Sequence, residues 1–210
     1  MGRCVIFGAA DFDRLLVPLA QEDYLIAADG GIRHLEKIGR KADKVLGDFD
    51  SLGYIPDGAA VFPVEKDDTD IMLALREGLE QGHREFLIYG GLDGKRLDHT
   101  MANFQALHFL RSQGARGYLI GRDYLVTAIS GETISFPAAA TGIISLFCMG
   151  KQATGVEIEG LQYEMKKGTL QPDMPLGVSN HFVGKPSKIT VADGALLLIW
   201  DIQNGLPTVF

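Results

Sequence analysis

Cysteine is scarce in this chain: only Cys4 and Cys148 occur among 210 residues, far apart and each within an apolar run. That scarcity excludes a disulfide scaffold and a cysteine-built metal site, and both thiols are expected to be reduced core residues. No apolar run is long enough to span a membrane and no signal-peptide pattern is found, so a cytoplasmic protein without membrane contact is expected. Positive charge is also short. Lys and Arg number 20 against 27 Asp and Glu, the formal net charge is −7, and no basic run offsets it. This argues against a general nucleic-acid binder, though not against an anionic nucleotide, because a bound metal can supply positive charge. Internal repeats and low-complexity segments are lacking too. What remains is an ordinary globular composition, 46% apolar and 22% charged, with length for one large domain or two small ones.

Against that background, Leu46-Gly47-Asp48-Phe49-Asp50-Ser51 stands out. It follows Lys44-Val45-Leu46, which reads as the end of a strand. Carboxylates at i and i+2 are sent toward the same space in an extended or half-turned backbone, where they repel unless a cation lies between them. Hard oxygen pairs at a strand end suit Mg²⁺ that also holds phosphates. Gly47 allows a close backbone approach, and Phe49 can tuck inward while its neighbours face out. An Asx-rich turn is the alternative. Removing one charge from this cluster is expected to leave the metal-free chain as stable as before, or slightly more so.

Taken in order, Arg3–Gly8 is a short, nearly continuous apolar run of buried-strand type. Asp11 or Asp13 can cap a helix that Pro18 begins or kinks. Tyr24–Ala28 is the next strand, ending in Asp29-Gly30-Gly31, and a helix follows with Ile32, Leu35 and Ile38 on one side. Ala59–Val64 is a further strand, then Lys66-Asp67-Asp68-Thr69-Asp70 precedes a helix with Ile71, Leu75 and Leu79 on one face. Capping accounts for Asp68 and Thr69, but three carboxylates in four residues exceed what a cap needs. Glu85–Tyr89 is a strand, followed by Gly90-Gly91 and the segment to His99, whose amides can face an anion. The glycine spacing is not that of a Walker A loop, and no GxGxxG occurs. Arg96 suits phosphate oxygens, while Asp98 reads equally as a helix cap or as its ion-pair partner. The next helix is expected to bury Met101, Phe104 and Leu107.

After Gly117–Ile120 the pattern changes to short apolar runs divided by turns: 124–129, 133–136, 142–148, 154–158, 188–191 and 195–200. The expected fold is therefore an α/β N-terminal domain with a mainly parallel sheet over residues 1–122. An all-β, sandwich-like C-terminal domain follows over residues 123–210. Gly177-Val178-Ser179-Asn180 is a polar, hydrogen-bonding segment that a turn alone also explains.

GDFDS (47–51), KDDTD (66–70), GLDGKRLDH (91–99), GLQY (160–163) and GVSN (177–180), in that order, resemble the thiamin pyrophosphokinase family over most of the chain. The resemblance implies transfer of an intact diphosphoryl group from ATP to the hydroxyethyl oxygen of thiamin, with release of AMP. It also implies Mg²⁺ and a homodimer with thiamin sites between subunits. On that footing residues 1–122 bind nucleotide and metal, and residues 123–210 bind thiamin and dimerise. Asp48, Asp50 and Asp70 become candidate Mg²⁺ ligands. Lys66, Arg96, Asp29, Gly30 and Gly91 are candidates at ATP and its phosphates, and Arg96, Asp67 and Asp98 at the reacting centre. Either aspartate can accept the hydroxyl proton. Ser179 and Asn180 would hydrogen-bond the pyrimidine. Tyr163, where family members often carry Trp, would stack on thiamin. The rivals are a Mg²⁺-dependent nucleotide hydrolase, a kinase for another alcohol, and a non-catalytic thiamin- or nucleotide-binding module.

Overall fold

The structure, a computed structural model, describes residues 2–50 and 52–210, so Ser51 of the GDFDS stretch lies outside the described residues. The chain divides into two compact units, residues 1–122 and 123–210. The first holds β1 (Cys4–Phe7), β2 (Tyr24–Ala28), β3 (Lys44–Gly47), β4 (Ala60–Val61), β5 (Glu85–Tyr89) and β6 (Arg116–Ile120). They lie in the order β6-β5-β1-β2-β3-β4, and each neighbouring pair is parallel. All four residues of β1 are fully buried, as a central parallel strand covered on both faces requires. Three helices connect the strands: α1 (Ile32–Lys37), α2 (Asp70–Glu80) and α3 (Leu97–Ser112). Thr69 caps α2, its Oγ1 accepting from the Met72 N–H at 3.2 Å, and the helix buries Ile71, Ala74, Leu75 and Gly78.

No helix forms after Asp11 or Asp13; residues 8–23 run as an irregular segment held by tertiary contacts. Phe12 packs edge-on against Phe7 and Tyr89, and the Val17 N–H donates to the Tyr89 hydroxyl at 3.4 Å. The strand expected over 59–64 is reduced to Ala60–Val61. The Phe62 N–H still donates to Gly47 O at 2.9 Å, but Pro63 has no N–H with which to continue the ladder. The buried face of α3 is Asn103, Ala106, Leu107 and Leu110, while Met101 is 54% exposed. That face keeps helical spacing but begins with a polar residue, so choosing the apolar side chains shifted it.

The second unit holds β7 (Tyr124–Ile129), β8 (Glu132–Phe136), β9 (Ile143–Glu159), β10 (Met165–Leu170), β11 (Gly177–His181), β12 (Ser187–Val191), β13 (Asp193–Asp201) and β14 (Thr208–Val209). All its pairings are antiparallel. The first half of β9 pairs with β13 and β11, and its second half with β10 and β12, so one bent strand joins two groups of strands. The runs expected separately at 142–148 and 154–158 are thus one bent strand. Gly150 and Gly155, both at positive φ, lie along the bend, where the intervening GKQATG composition imitates a turn. Phe136 of β8 meets Trp200 of β13 and Phe182 edge-on, at 5.5 and 5.1 Å, which packs the two groups of strands against each other. Among the described residues, no helix is long and apolar enough to cross a membrane. Both cysteines are free; Cys4 is buried and Cys148 partly exposed.

Candidate active site

Within the first unit the chain runs from β1 to β2, β3 and β4 on one side, then returns to β5 and β6 on the other. The loops after β1 and β5 therefore diverge at the carboxyl ends of adjacent parallel strands, which is where open α/β sheets form their crevice. A cleft of about 730 Å³ opens there. Its walls come from the segments after β1 (Gly8–Asp11), β2 (Asp29), β3 (Asp48, Asp50) and β5 (Gly90, Gly91), together with Lys66, Asp68–Ile71 and the first turns of α3.

Two strand ends meet at its floor. A Cβ on Gly47 would lie 3.0 Å from both N and Cα of Asp29, so only glycine lets the end of β3 approach the end of β2 so closely. Asp29 and Phe49 both hold positive φ, 49° and 59°. Such non-glycine outliers persist where the surroundings over-determine them. Phe49 is buried at 3% exposure, and Asp48 and Asp50 on either side of it both line the cleft. Carboxylate oxygens of Asp29, Asp48 and Asp50 lie within 4.8 Å of one another. Three hard oxygen donors that would otherwise repel fit a small divalent cation.

Lys66 supplies positive charge alongside. Its Nζ lies 2.5 Å from Asp48 Oδ2 and 3.2 Å from Asp70 Oδ1, with all three side chains less than a quarter exposed. The lysine hydrogen bond holds the Asp48 carboxyl below the usual range. Burial lowers the Lys66 pKa, but the two carboxylates outweigh it and the net displacement is upward. Burial pushes the Asp70 carboxyl up in spite of Lys66. Asp70 thus stands across the lysine from Asp48, and Asp29, which belongs to a different strand end, joins Asp48 and Asp50.

Gly91, the second glycine after β5, is held through its carbonyl, which accepts from the buried Asn103 amide at 2.8 Å. Thr100 and Asn103 both line the cleft and were missed from sequence. The signal was available: Arg96, Thr100 and Asn103 are spaced i, i+4, i+7 and so share one helical side. Arg96 is largely exposed and grips Asp98 through contacts of 2.6 to 3.2 Å. That guanidinium holds the Asp98 carboxyl down to about 2, a poor proton acceptor. Asp68 pairs with Arg76 at 2.8 Å. Asp67 is exposed and, like Gly30 in its buried turn, does not line the cleft.

Tyr163, Ser179 and Asn180 lie together in the second unit. Tyr163 is 62% exposed and Asn180 is buried. The GVSN segment, which a turn alone would also explain, is strand β11 with a bulge, where Ser179 takes φ 58°. The Asn180 amide is spent on protein: Oδ1 accepts from the Tyr163 and His181 N–H groups at 2.9 Å, and Nδ2 donates to Tyr163 O at 2.7 Å.

Models of two domains match this chain in sequence order. That of the thiamin pyrophosphokinase catalytic domain matches residues 17–119, and that of the thiamin pyrophosphokinase vitamin B1 binding domain matches residues 132–196. Among solved structures, thiamine pyrophosphokinase from Bacillus subtilis superposes with a TM-score of 0.81 at 20% identity, covering 95% of this chain and 98% of its own. The family protein from Enterococcus faecalis gives 0.79 at 22% identity, with 95% and 99% covered. Thiamin pyrophosphokinase from Candida albicans gives 0.75 at 15% identity, with 94% and 88% covered. Likeness at these identities speaks to the fold alone. Comparison with curated proteins returns no match. The two domain models together take in most of the residues from the irregular segment before β2 to β13, and on that ground the chain belongs to the thiamin pyrophosphokinase family.

Proposed function

We propose that this chain is a thiamin diphosphokinase that transfers the diphosphoryl group of ATP to the hydroxyl of thiamin, giving thiamin diphosphate and AMP. The hydroxyl oxygen attacks the β-phosphorus while its proton passes to a carboxylate or to water, the bond from that phosphorus to the α–β bridging oxygen breaks, and the electron pair leaves with AMP. The observation that carries the reading is the meeting of Asp29, Asp48 and Asp50 in one cleft at the sheet's switch point, in a chain of this family.

Phosphoryl-type transfer asks a protein for alignment and charge neutralisation more than for covalent help. Asp29, Asp48 and Asp50 would hold Mg²⁺, with Asp70 near enough to act through water. Bound there, the ion neutralises charge on the diphosphoryl oxygens. Lys66 and Arg96 would meet phosphate, and with Lys95 they line the cleft; the Gly91 segment, braced by Asn103, would form the third side. The carboxyl of Asp98, held down to about 2, is a weak base, and Asp67 stands outside the cleft lining. A loose transition state draws little on either. Tyr163 and Ser179 would meet thiamin in the second unit, and the enzyme would act in the cytoplasm as a homodimer. Exposed Ile143, Tyr163, Met174, Leu176, Val178 and Val183, all in or near β9 and β11, supply apolar surface for such a pairing.

The test is purified protein with Mg²⁺, ATP and thiamin, with products identified by mass. Thiamin diphosphate and AMP in equal amounts are expected. Turnover of ATP without thiamin would instead support a hydrolase, and binding without turnover a non-catalytic module.

A further inference from the structure

Tyr163 sets an exposed ring on firmly held backbone. The turn that carries it, between β9 and β10, is stitched on successive residues. Gly160 N–H donates to Glu164 Oε1 at 3.0 Å, Leu161 bridges Phe182, and Gln162 N–H donates to His181 O at 3.0 Å. At Tyr163 itself the pairing passes to a side chain. The Asn180 amide takes both the N–H and the C=O of Tyr163, as a neighbouring strand residue would. With the His181 N–H also accepted, three of its four hydrogen-bonding positions are used. The bulge at Ser179 puts two exposed residues, Val178 and Ser179, ahead of buried Asn180, breaking strand alternation so that the amide turns inward.

We infer that Asn180 is a positioning residue: it fixes the Tyr163 backbone so that the phenol ring stands as a preformed stacking face for the cationic, aromatic substrate, without touching that substrate. The inference rests on the reading that Tyr163 stacks on thiamin. It explains why a large aromatic is left exposed on backbone that a buried amide secures, since holding a ring in place beforehand lowers the entropy lost on binding.

The experiment is steady-state kinetics on the full chain for Tyr163→Ala, Asn180→Ala and the double variant, with KM measured for thiamin and for ATP. Tyr163→Ala should raise the thiamin KM by about tenfold, the usual scale of a stacked cation. Asn180→Ala should raise it comparably, leaving kcat and the ATP KM within about twofold. The double variant should be no worse than the worse single one, because both changes remove the same contact. Multiplying effects, equal losses toward ATP and thiamin, or an unchanged thiamin KM in Asn180→Ala would overturn the role given to Asn180. An unchanged thiamin KM in Tyr163→Ala would instead remove the stacking reading, and the inference with it. Should Asn180→Ala not fold, Asn180→Asp keeps the acceptor for Tyr163 and His181 and turns the donor to Tyr163 O into a charged acceptor that repels it. A several-fold rise in thiamin KM alone is then expected, and no rise overturns the proposal.

Discussion

Lys66→Met is the most informative perturbation of the cleft. The ammonium lies 2.5 Å from Asp48 and 3.2 Å from Asp70, with side-chain exposures of 13, 12 and 22%. At an effective dielectric of about 20 each contact carries roughly 5–7 kcal/mol of gross attraction, most of it offset by desolvation. Removing one partner of a well-buried pair typically costs about 3–5 kcal/mol; with Asp70 one-fifth exposed, about 2–4 kcal/mol is expected here. The variant would leave Asp29, Asp48, Asp50 and Asp70 facing one another without that cation. Denaturant unfolding with chelator present should show this loss in the transition of residues 1–122. Adding Mg²⁺ or Mn²⁺ should recover at least half of it, since a divalent ion takes over the neutralising role. The variant should also bind Mn²⁺ more tightly by calorimetry, about tenfold, because no ammonium competes. An equal loss with and without divalent ion, or weaker Mn²⁺ binding, would refute the reasoning.

Asp48→Asn and Asp50→Asn should each abolish nearly all turnover, measured as thiamin diphosphate formed at saturating Mg²⁺, but they should part company in stability. Asp50→Asn, at an exposed carboxylate, should leave the chelator-treated chain as stable as the parent or slightly more so; Asp48 is bonded to Lys66, so chelator-treated Asp48→Asn should melt earlier than the parent. At Asp23, with 1% of its side chain exposed, burial raises the carboxyl pKa, but Arg3 at 2.6 Å and the Ala20 N–H at 2.8 Å outweigh it, and the net shift is below 3.8. A lowered carboxyl pKa contributes stability that is present above 3.8 and lost as pH falls through the folded value. Asp23→Asn should accordingly be about 2–4 kcal/mol less stable at pH 7, with a flatter acid profile by denaturant titration. Thr69→Ala should lose about 1 kcal/mol from its missing cap, again read by unfolding. Light scattering at micromolar concentration should report a dimer, and a fully active monomer would remove the intersubunit site.

Strands β1, β2 and β5 were legible because burial on both faces writes a continuous apolar run, and α2 because Thr69 announces its start. The acidic pair at 48 and 50 was legible for the same local reason: spacing two along extended backbone is a property of the chain itself. Asp29 was harder. Its place beside them depends on two strand ends meeting through space, which the sequence records only as Gly47, and a glycine has many other uses. The long β9 was hidden because a bend within a strand and a turn between strands draw on the same residues. Asn180 was read as a ligand group since its amide suits a pyrimidine, yet the same amide suits a backbone, and only the fold decides between them.

The double membership of β9 also bears on how the second unit comes into being. Tyr124 pairs with Asp201, and β13 closes on the first half of β9 as well as on β7. At about 5–20 residues per second of synthesis, β7 waits on the order of 4–15 s for its partner. Meanwhile the parallel sheet of residues 1–122 already has every strand it needs. Leu125, Val126, Ala128 and Ile129, all buried in the finished unit, lack their β13 partner during that interval. Newly made chains should therefore be most prone to capture by chaperones, or to misassociation with one another, when arrested between β9 and β13.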